Sequence, residues 1–261
     1  MDIKEYVLAD SLERAYELNQ KKGSRVLGGG LWLRLGNAPI ATAIDLGALG
    51  LDGIEEGPES FSIGAMVPLR RLETHPGLDV YTGGVAARAL SPIVGVQLRN
   101  QATVGGSIFG RFGFSDVLTL FLALDTQVEL YRRGLVPLEE FVKLPPDRDI
   151  LVRLHVKKRP GRFACQCMRA NSTDLPVLTC AFSRMEGEYR AVYGARPGLA
   201  MVLGDEEGLL AGGVTPDSAG AFARYAARRV PTGSNVRGSA AYRTHLVEAL
   251  TRRGLLELGG E

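Results

Sequence analysis

The residues of this chain best suited to chemistry lie in two short glycine clusters. Gly28-Gly29-Gly30 follows directly on a short extended run, Arg25 to Leu27, and Thr103-Val104-Gly105-Gly106-Ser107-Ile108 carries the second cluster. Consecutive glycines let backbone N–H groups converge on one point with no Cβ in the way. Such concavities hold phosphate oxygens, and a diphosphate, with two anionic groups, suits two converging loops. The Thr103 and Ser107 hydroxyls add hydrogen-bonding capacity. A tight turn is the competing reading of each cluster. Neither fits the usual nucleotide fingerprints: Leu33 stands where G-x-G-x-x-G needs its third glycine, and no G-x-x-x-x-G-K-[ST] is present. Asp116, just before an apolar run, reads both as a helix N-cap and as an acceptor for ligand hydroxyls.

No catalytic constellation accompanies these loops. His75, His155 and His245 are far apart, with no partners at motif spacing, and read as surface or structural histidines. Ser/His/Asp and H-E-x-x-H patterns are absent. Cys165 and Cys167 are alternate positions of one strand and Cys180 is alone, so four zinc ligands at recognisable spacing are lacking. If the chain is part of an enzyme, a cofactor must carry the chemistry. The formal net charge of +2 is spread along the chain, unlike the basic stripe of a nucleic-acid binder. Lys157-Lys158-Arg159 reads as a solvated strand end. The N-terminus lacks a signal-peptide pattern and the longest apolar stretch, Val117 to Leu124, is too short to span a bilayer. A sparse, odd set of thiols suits a reducing compartment. The expectation is a soluble, cytoplasmic protein with no membrane insertion.

The elements that must position these residues are mixed. Asp10-Ser11-Leu12-Glu13 offers an N-cap followed three residues later by Glu, and Leu12, Ala15 and Tyr16 then fall on one helical face, stopped at Lys21-Lys22-Gly23. Thr42 to Leu46 and Phe61 to Ala65 read as strands. Leu69 to Glu73 reads as a helical turn stopped by Pro76 and Gly77, and Val85 to Leu90 as a helix. Val117 to Leu124 is apolar on all sides, hence a buried helix, and Gln127 to Tyr131 a strand leaving it. A boundary falls between Lys143 and Arg162, around one strand, Ile150 to Val156. Beyond it, Phe163 to Arg169, Val177 to Arg184 and Tyr189 to Ala195 read as an antiparallel meander turning at Glu186-Gly187-Glu188. Thr215-Pro216-Asp217 caps a helix carrying Ala219, Phe222 and Ala226 inward. A last helix from Ser239 presents Tyr242, Leu246, Ala249 and Leu250.

The run Leu98-Arg99-Asn100-Gln101-Ala102-Thr103-Val104-Gly105-Gly106-Ser107-Ile108 resembles a hallmark of the FAD-binding (medium) subunits of molybdenum hydroxylases, the xanthine dehydrogenase and carbon monoxide dehydrogenase group. Asp116 and Leu122-Ala123-Leu124-Asp125-Thr126 follow at matching distance. Leu27-Gly28-Gly29-Gly30-Leu31-Trp32 stands where the family has A-G-G-T-D-L. Ile63-Gly64-Ala65, Val136-Pro137-Leu138-Glu139-Glu140-Phe141 and Val236-Arg237-Gly238-Ser239-Ala240-Ala241-Tyr242-Arg243 also match, so the resemblance covers nearly the whole chain.

The resemblance implies an α+β fold: two α/β subdomains, residues 1–53 and 54–156, binding FAD between them, and a C-terminal domain, 157–261, with a small antiparallel sheet packed on helices. It implies FAD contacts from Arg25-Val26-Leu27-Gly28-Gly29-Gly30-Leu31-Trp32-Leu33, from Thr103, Gly105, Gly106 and Ser107, from Asp116 nearby, and from Leu151 at the end of the 150–156 strand. It implies electron transfer from iron–sulfur clusters to an acceptor such as NAD, beside a molybdopterin-binding large subunit and an iron–sulfur small subunit. The chain also departs from the pattern. Gly30 and Leu31 replace a polar pair, Ser107 replaces Asn, and Cys165 or Gln166 stands where a lysine is common. Arg111 is a candidate replacement charge. Phe109, Phe112 and Phe114 are candidates for a partner surface, a lid or core. The side-chain losses leave a second expectation, a flavin-free scaffold subunit.

Overall fold

The structure, a computed structural model, describes residues 2–260. The first stretch holds β1 (Ile3–Leu8), α1 (Leu12–Gln20), β2 (Ser24–Leu27) and β3 (Ile40–Asp45), with the strands in a parallel sheet of order β1-β3-β2. The Ser11 hydroxyl accepts from the Arg14 amide at 3.2 Å and so fixes the start of α1. The sequence gives no sign of β1 because it is an edge strand with most side chains exposed, so no alternation marks it.

The second stretch runs β4 (Ile54–Glu56), β5 (Ser60–Gly64), α2 (Leu69–Glu73), α3 (Pro76–Thr82), α4 (Val85–Leu90), α5 (Val96–Gln101), α6 (Val104–Phe109), α7 (Asp116–Ala123), β6 (Thr126–Leu130), β7 (Gly134–Pro137), α8 (Leu138–Phe141) and β8 (Leu151–Lys157). Its sheet is antiparallel, of order β4-β5-β8-β6-β7, so the late strand β8 inserts between β5 and β6. The turn α2 ends at Glu73, before Pro76, as expected, and Pro76 also begins the next helix. It sits in the first turn, where its missing N–H is no loss, and His75 caps the turn. The cap of α7 is Ser115, not Asp116: its hydroxyl accepts from the Leu118 amide at 3.1 Å.

The third stretch is β9 (Gly161–Met168), β10 (Leu178–Met185), β11 (Glu188–Gly194) and β12 (Met201–Gly204), antiparallel in the order β12-β11-β10-β9, then α9 (Pro216–Arg229) and α10 (Ala240–Gly259). Glu186 and Gly187 have φ of 51° and 91°, the pair of left-handed residues that a two-residue hairpin turn demands. β12 extends the expected three-strand meander. Leu246 and Leu250 of α10 are buried as expected, but Tyr242 is exposed and Arg243 lies fully inside in its place. An ideal Cβ on Gly254 would fall 2.2 Å from the Phe182 ring, so α10 approaches β10 as closely as it does only because Gly254 has no side chain.

Each sheet draws its strands from one consecutive stretch, whereas the compact units cut the chain differently. One unit comprises residues 1–72, 96–110 and 126–158, and the other 73–95, 111–125 and 159–261. In the first, Ala15 and Leu18 of α1 and Ile44 of β3 share a core with Leu51, Ile150 and Val152. In the second, Phe182 and Tyr193 of the sheet pack with Phe222, Tyr225, Leu246 and Leu250 of α9 and α10. The apolar helix α7 is buried along its whole length and packs on β10 and β11.

Candidate functional site

Within the first unit the two glycine clusters meet. β2 is held against β3 to its last residue, Leu27, and Gly28-Gly29-Gly30 then lead to a single 3₁₀ turn, Leu33–Leu35. Thr103 is the N-cap of α6, its hydroxyl accepting from the Gly106 amide at 3.1 Å. A Cβ on Gly28 would fall 2.7 Å from Thr103 Oγ1, and one on Gly29 only 1.9 Å from the Gln101 carbonyl oxygen. These two glycines are therefore required by loop-on-loop packing. Gly105 is a packing glycine too. Its amide donates to the Ala65 carbonyl at 2.7 Å and its Cβ would lie 2.7 Å from that same oxygen. Ala65 in turn donates to Val152 at 2.9 Å, which ties the second loop to β8 beside Leu151. Leu151 is buried and opens β8.

The remaining glycines are open. Gly30 has φ of 70° with nothing within 4 Å of its Cβ position, and Gly106 is exposed, with Thr103 Oγ1 at 3.2 Å. The loops differ in donors. In the second, the amides of Val104, Gly105, Gly106 and Ser107 already reach Val67, Ala65, Thr103 Oγ1 and the Thr103 carbonyl, and the Ser107 hydroxyl also donates to Thr103. In the first, no acceptor among the described residues meets the amides of Gly28, Gly29, Gly30 or Leu31. Four successive unspent N–H groups at a left-handed glycine suit an anion. Val26 packs into the core, Leu31 and Leu33 are half-buried, and Arg25 and Trp32 are exposed. Phe109 packs on Phe141 in the same unit.

Asp116 stands in the second unit, in a cavity of about 290 Å³ lined also by Arg88, Cys165, Gln166, Cys167, Arg169 and Thr179. It is the first residue of α7, buried, with Oδ2 2.7 Å from Arg169 Nη2. Burial pushes its carboxyl above the usual range, opposed by the Arg169 charge and hydrogen bond and by Thr179. Sequence reasoning missed Arg169, which lies 53 positions from Asp116, beyond the reach of any local spacing. Arg111 is also buried in this unit, with φ of 48°, and Phe112 stacks on Phe114 at 5.2 Å. Among the described residues no three His, Cys, Asp or Glu side chains come together as metal ligands, and no helix is long and apolar enough to cross a membrane.

Although Cys167 is exposed at the surface, desolvation around its sulfur, and then the Asp116 charge, push the thiol up to about 11. Cys165 is raised for the same first reason. Since the thiolate is the nucleophile, alkylation of Cys167 at pH 7.5 is expected to run about a hundredfold slower than for a free cysteine. The rate should climb through pH 10. Mass spectrometry of iodoacetamide-labelled peptides measures this, and free-cysteine reactivity at pH 7.5 would contradict the raised thiol.

Residues 2–156 match the FAD-binding domain in molybdopterin dehydrogenase. Across nearly its whole length the chain is 27% identical to the nicotine 6-hydroxylase medium subunit of Paenarthrobacter nicotinovorans, covering 97% of this chain and 96% of that one. It is 26% identical to the 6-hydroxypseudooxynicotine dehydrogenase complex subunit alpha of the same organism, with 96% and 93% covered. In fold it superposes on a chain of carbon monoxide dehydrogenase from Hydrogenophaga pseudoflava with a TM-score of 0.87, at 24% identity, covering 98% of this chain and 96% of that one.

Proposed function

Because this chain belongs to the family of FAD-binding domains in molybdopterin dehydrogenases, we propose that it works as the flavin-bearing electron-transfer subunit of a multi-subunit molybdenum hydroxylase. It receives electrons from the iron–sulfur clusters of a small subunit, which a molybdopterin-binding large subunit feeds, and passes them to an acceptor such as NAD. The observation that carries this reading is the run of unspent amides from Gly28 to Leu31, packed on the Thr103-capped loop inside the family-matched segment. Bound FAD would supply a carrier able to take up and release electrons.

The chain's own residues bind and orient it. The Gly28–Leu31 amides hold diphosphate oxygens and the exposed Gly106 leaves room for close approach. Arg25, Val26, Trp32 and Leu33 flank that contact, and Asp116 accepts from ligand hydroxyls. Gly105 and Ser107 shape the second loop, and Leu151 keeps its side of the site dry. The three cysteines of the chain cannot hold iron–sulfur clusters, which take four ligands each, so the clusters belong to a partner. The sparse thiols of the chain support a cytoplasmic assembly.

Purified protein incubated with FAD and desalted is expected to keep a flavin spectrum, and acid precipitation should release the flavin to the supernatant. Gly106→Val should lose flavin at least about tenfold, because a branched side chain at this exposed position covers the anion's approach. Its melting temperature without FAD should change little, since the Cβ meets only the Thr103 hydroxyl. Wild-type protein that retains no flavin supports the scaffold role instead, and full flavin content in Gly106→Val removes the second loop from the site. Tagged chain recovered from its host at low salt should bring down two further chains, one of them containing iron and labile sulfide. Recovery of the chain alone, with hydroxylase activity in that fraction, would overturn the reading.

A further inference from the structure

Asp116 and Arg169 form an ion pair whose side chains are only 8% and 9% exposed, at the wall of the second unit's cavity. Arg169 follows the last residue of β9, and its other terminal nitrogen donates to the Asp174 carbonyl at 2.6 Å. Asp174 in turn accepts from Arg237 Nη2 at 3.3 Å. The guanidinium is thus clamped from two sides, while Arg169 Nε is buried with no acceptor among the described residues. A buried ion pair is weak support for folding, and an unsatisfied buried donor costs further stability. The arrangement is poor as a structural staple and well made for holding one carboxylate charged and in one orientation.

We propose that Arg169 is the positioning residue that makes Asp116 a ligand-binding group, holding its carboxylate ionised and fixed at the cavity wall to accept hydrogen bonds from the hydroxyls of FAD. This rests on the flavin reading above. The Thr179 hydrogen bond acts in the same direction, but no other group lining the cavity gives Asp116 a free positive charge. Thr179 on β10 is neutral, and Cys165 and Cys167 on β9 are thiols raised above their usual range and so stay protonated. Arg88 on α4 pairs with Glu257 of α10. Without Arg169, burial favours the protonated acid, which is a poorer acceptor for a hydroxyl.

The test is FAD affinity by flavin fluorescence between pH 6.0 and 8.5, with the full chain. Wild type should vary little across this range. Arg169→Met should bind FAD roughly tenfold more weakly at pH 6.0 than at pH 8.5, on the scale of one hydrogen bond to a charged group. Asp116→Asn should be weak at every pH, and Arg169→Lys should restore a flat profile. A flat, wild-type-like profile in Arg169→Met overturns the inference. If Arg169→Met does not fold, the remaining variants decide it: wild-type affinity in Asp116→Asn, or a pH-dependent Arg169→Lys, overturns it. Wild-type protein that takes up no FAD at any pH overturns the functional reading instead.

Discussion

Gly29→Ala is expected to abolish FAD uptake and to lower the melting temperature by roughly 6–12 °C, for a cost of about 3 kcal/mol. The added methyl would lie 1.9 Å from the Gln101 carbonyl oxygen, 2.8 Å from its carbon and 3.2 Å from Ala102 Cα. None of these is the end of a flexible side chain. The Ala102 amide is bonded to Leu98 at 2.7 Å and its carbonyl accepts from Leu69 at 2.8 Å, so this backbone is held on both sides. The Gly28–Leu31 segment must give way, and with it the amides that would meet the diphosphate. Gly30→Ala is the control. Nothing lies within 4 Å of its Cβ position, so only the left-handed φ is penalised, at about 1–2 kcal/mol. Flavin absorbance after desalting, with a thermal melt of each apo-protein, gives the comparison. Normal flavin content in Gly29→Ala would remove this loop from the site.

The largest loss of stability is expected from Arg243→Met, about 3–5 kcal/mol. Arg243 is fully buried on α10. Its Nε donates to Val177 O at 2.8 Å, Nη1 to Gly233 O at 2.7 Å and to Gly238 O, and Nη2 to Asn235 Oδ1 at 2.7 Å. One side chain thus satisfies acceptors from the start of β10 and from the whole 233–238 turn. Methionine fills similar space and removes every one of these donors; Asn235 Oδ1 keeps the Arg237 amide and Gly238 O the Asn235 amide, and each acceptor left unsatisfied costs about 1–3 kcal/mol before relaxation. Arg243→Lys should recover less than half, because one ammonium cannot span the fork of a guanidinium. Urea unfolding of the three proteins measures this, and an Arg243→Met variant within 1 kcal/mol of wild type, roughly the size of an ordinary surface change, would refute the assigned role.

Legibility in the sequence followed whether the deciding interaction was local. Thr215-Pro216 and Ser239 mark helix starts because a cap bonds within three residues, and both helices begin there; at α1 the cap is Ser11, one residue after the Asp10 that the spacing to Glu13 points to. The Glu186-Gly187 turn was legible for the same reason. Pro76 was ambiguous, since the same ring that stops one helix suits the first turn of the next. Tyr242 belonged to the expected apolar face of α10, yet Arg243 took the buried place because its acceptors come from a turn that no periodicity of the helix reports.

By itself the sequence determined the family, the mixed fold and the two glycine loops, because runs such as Thr103-Val104-Gly105-Gly106 are local strings whose residue types carry their own constraint. Only the tertiary structure decided what each glycine is for. Gly29 and Gly105 are glycines because backbone from elsewhere in the first unit presses against them and Gly28 because the Thr103 hydroxyl does, whereas nothing lies near the Cβ position of Gly30 and only the Thr103 hydroxyl near that of Gly106. It likewise decided which amides are spent: those of the second loop bond to Val67, Ala65 and Thr103, and those from Gly28 to Leu31 do not find an acceptor among the described residues. The physical reason is the same in each case. A glycine's φ freedom and an amide's donor are intrinsic to the residue, but steric exclusion and hydrogen-bond satisfaction are properties of a pair, and the second member of the pair is chosen by the fold.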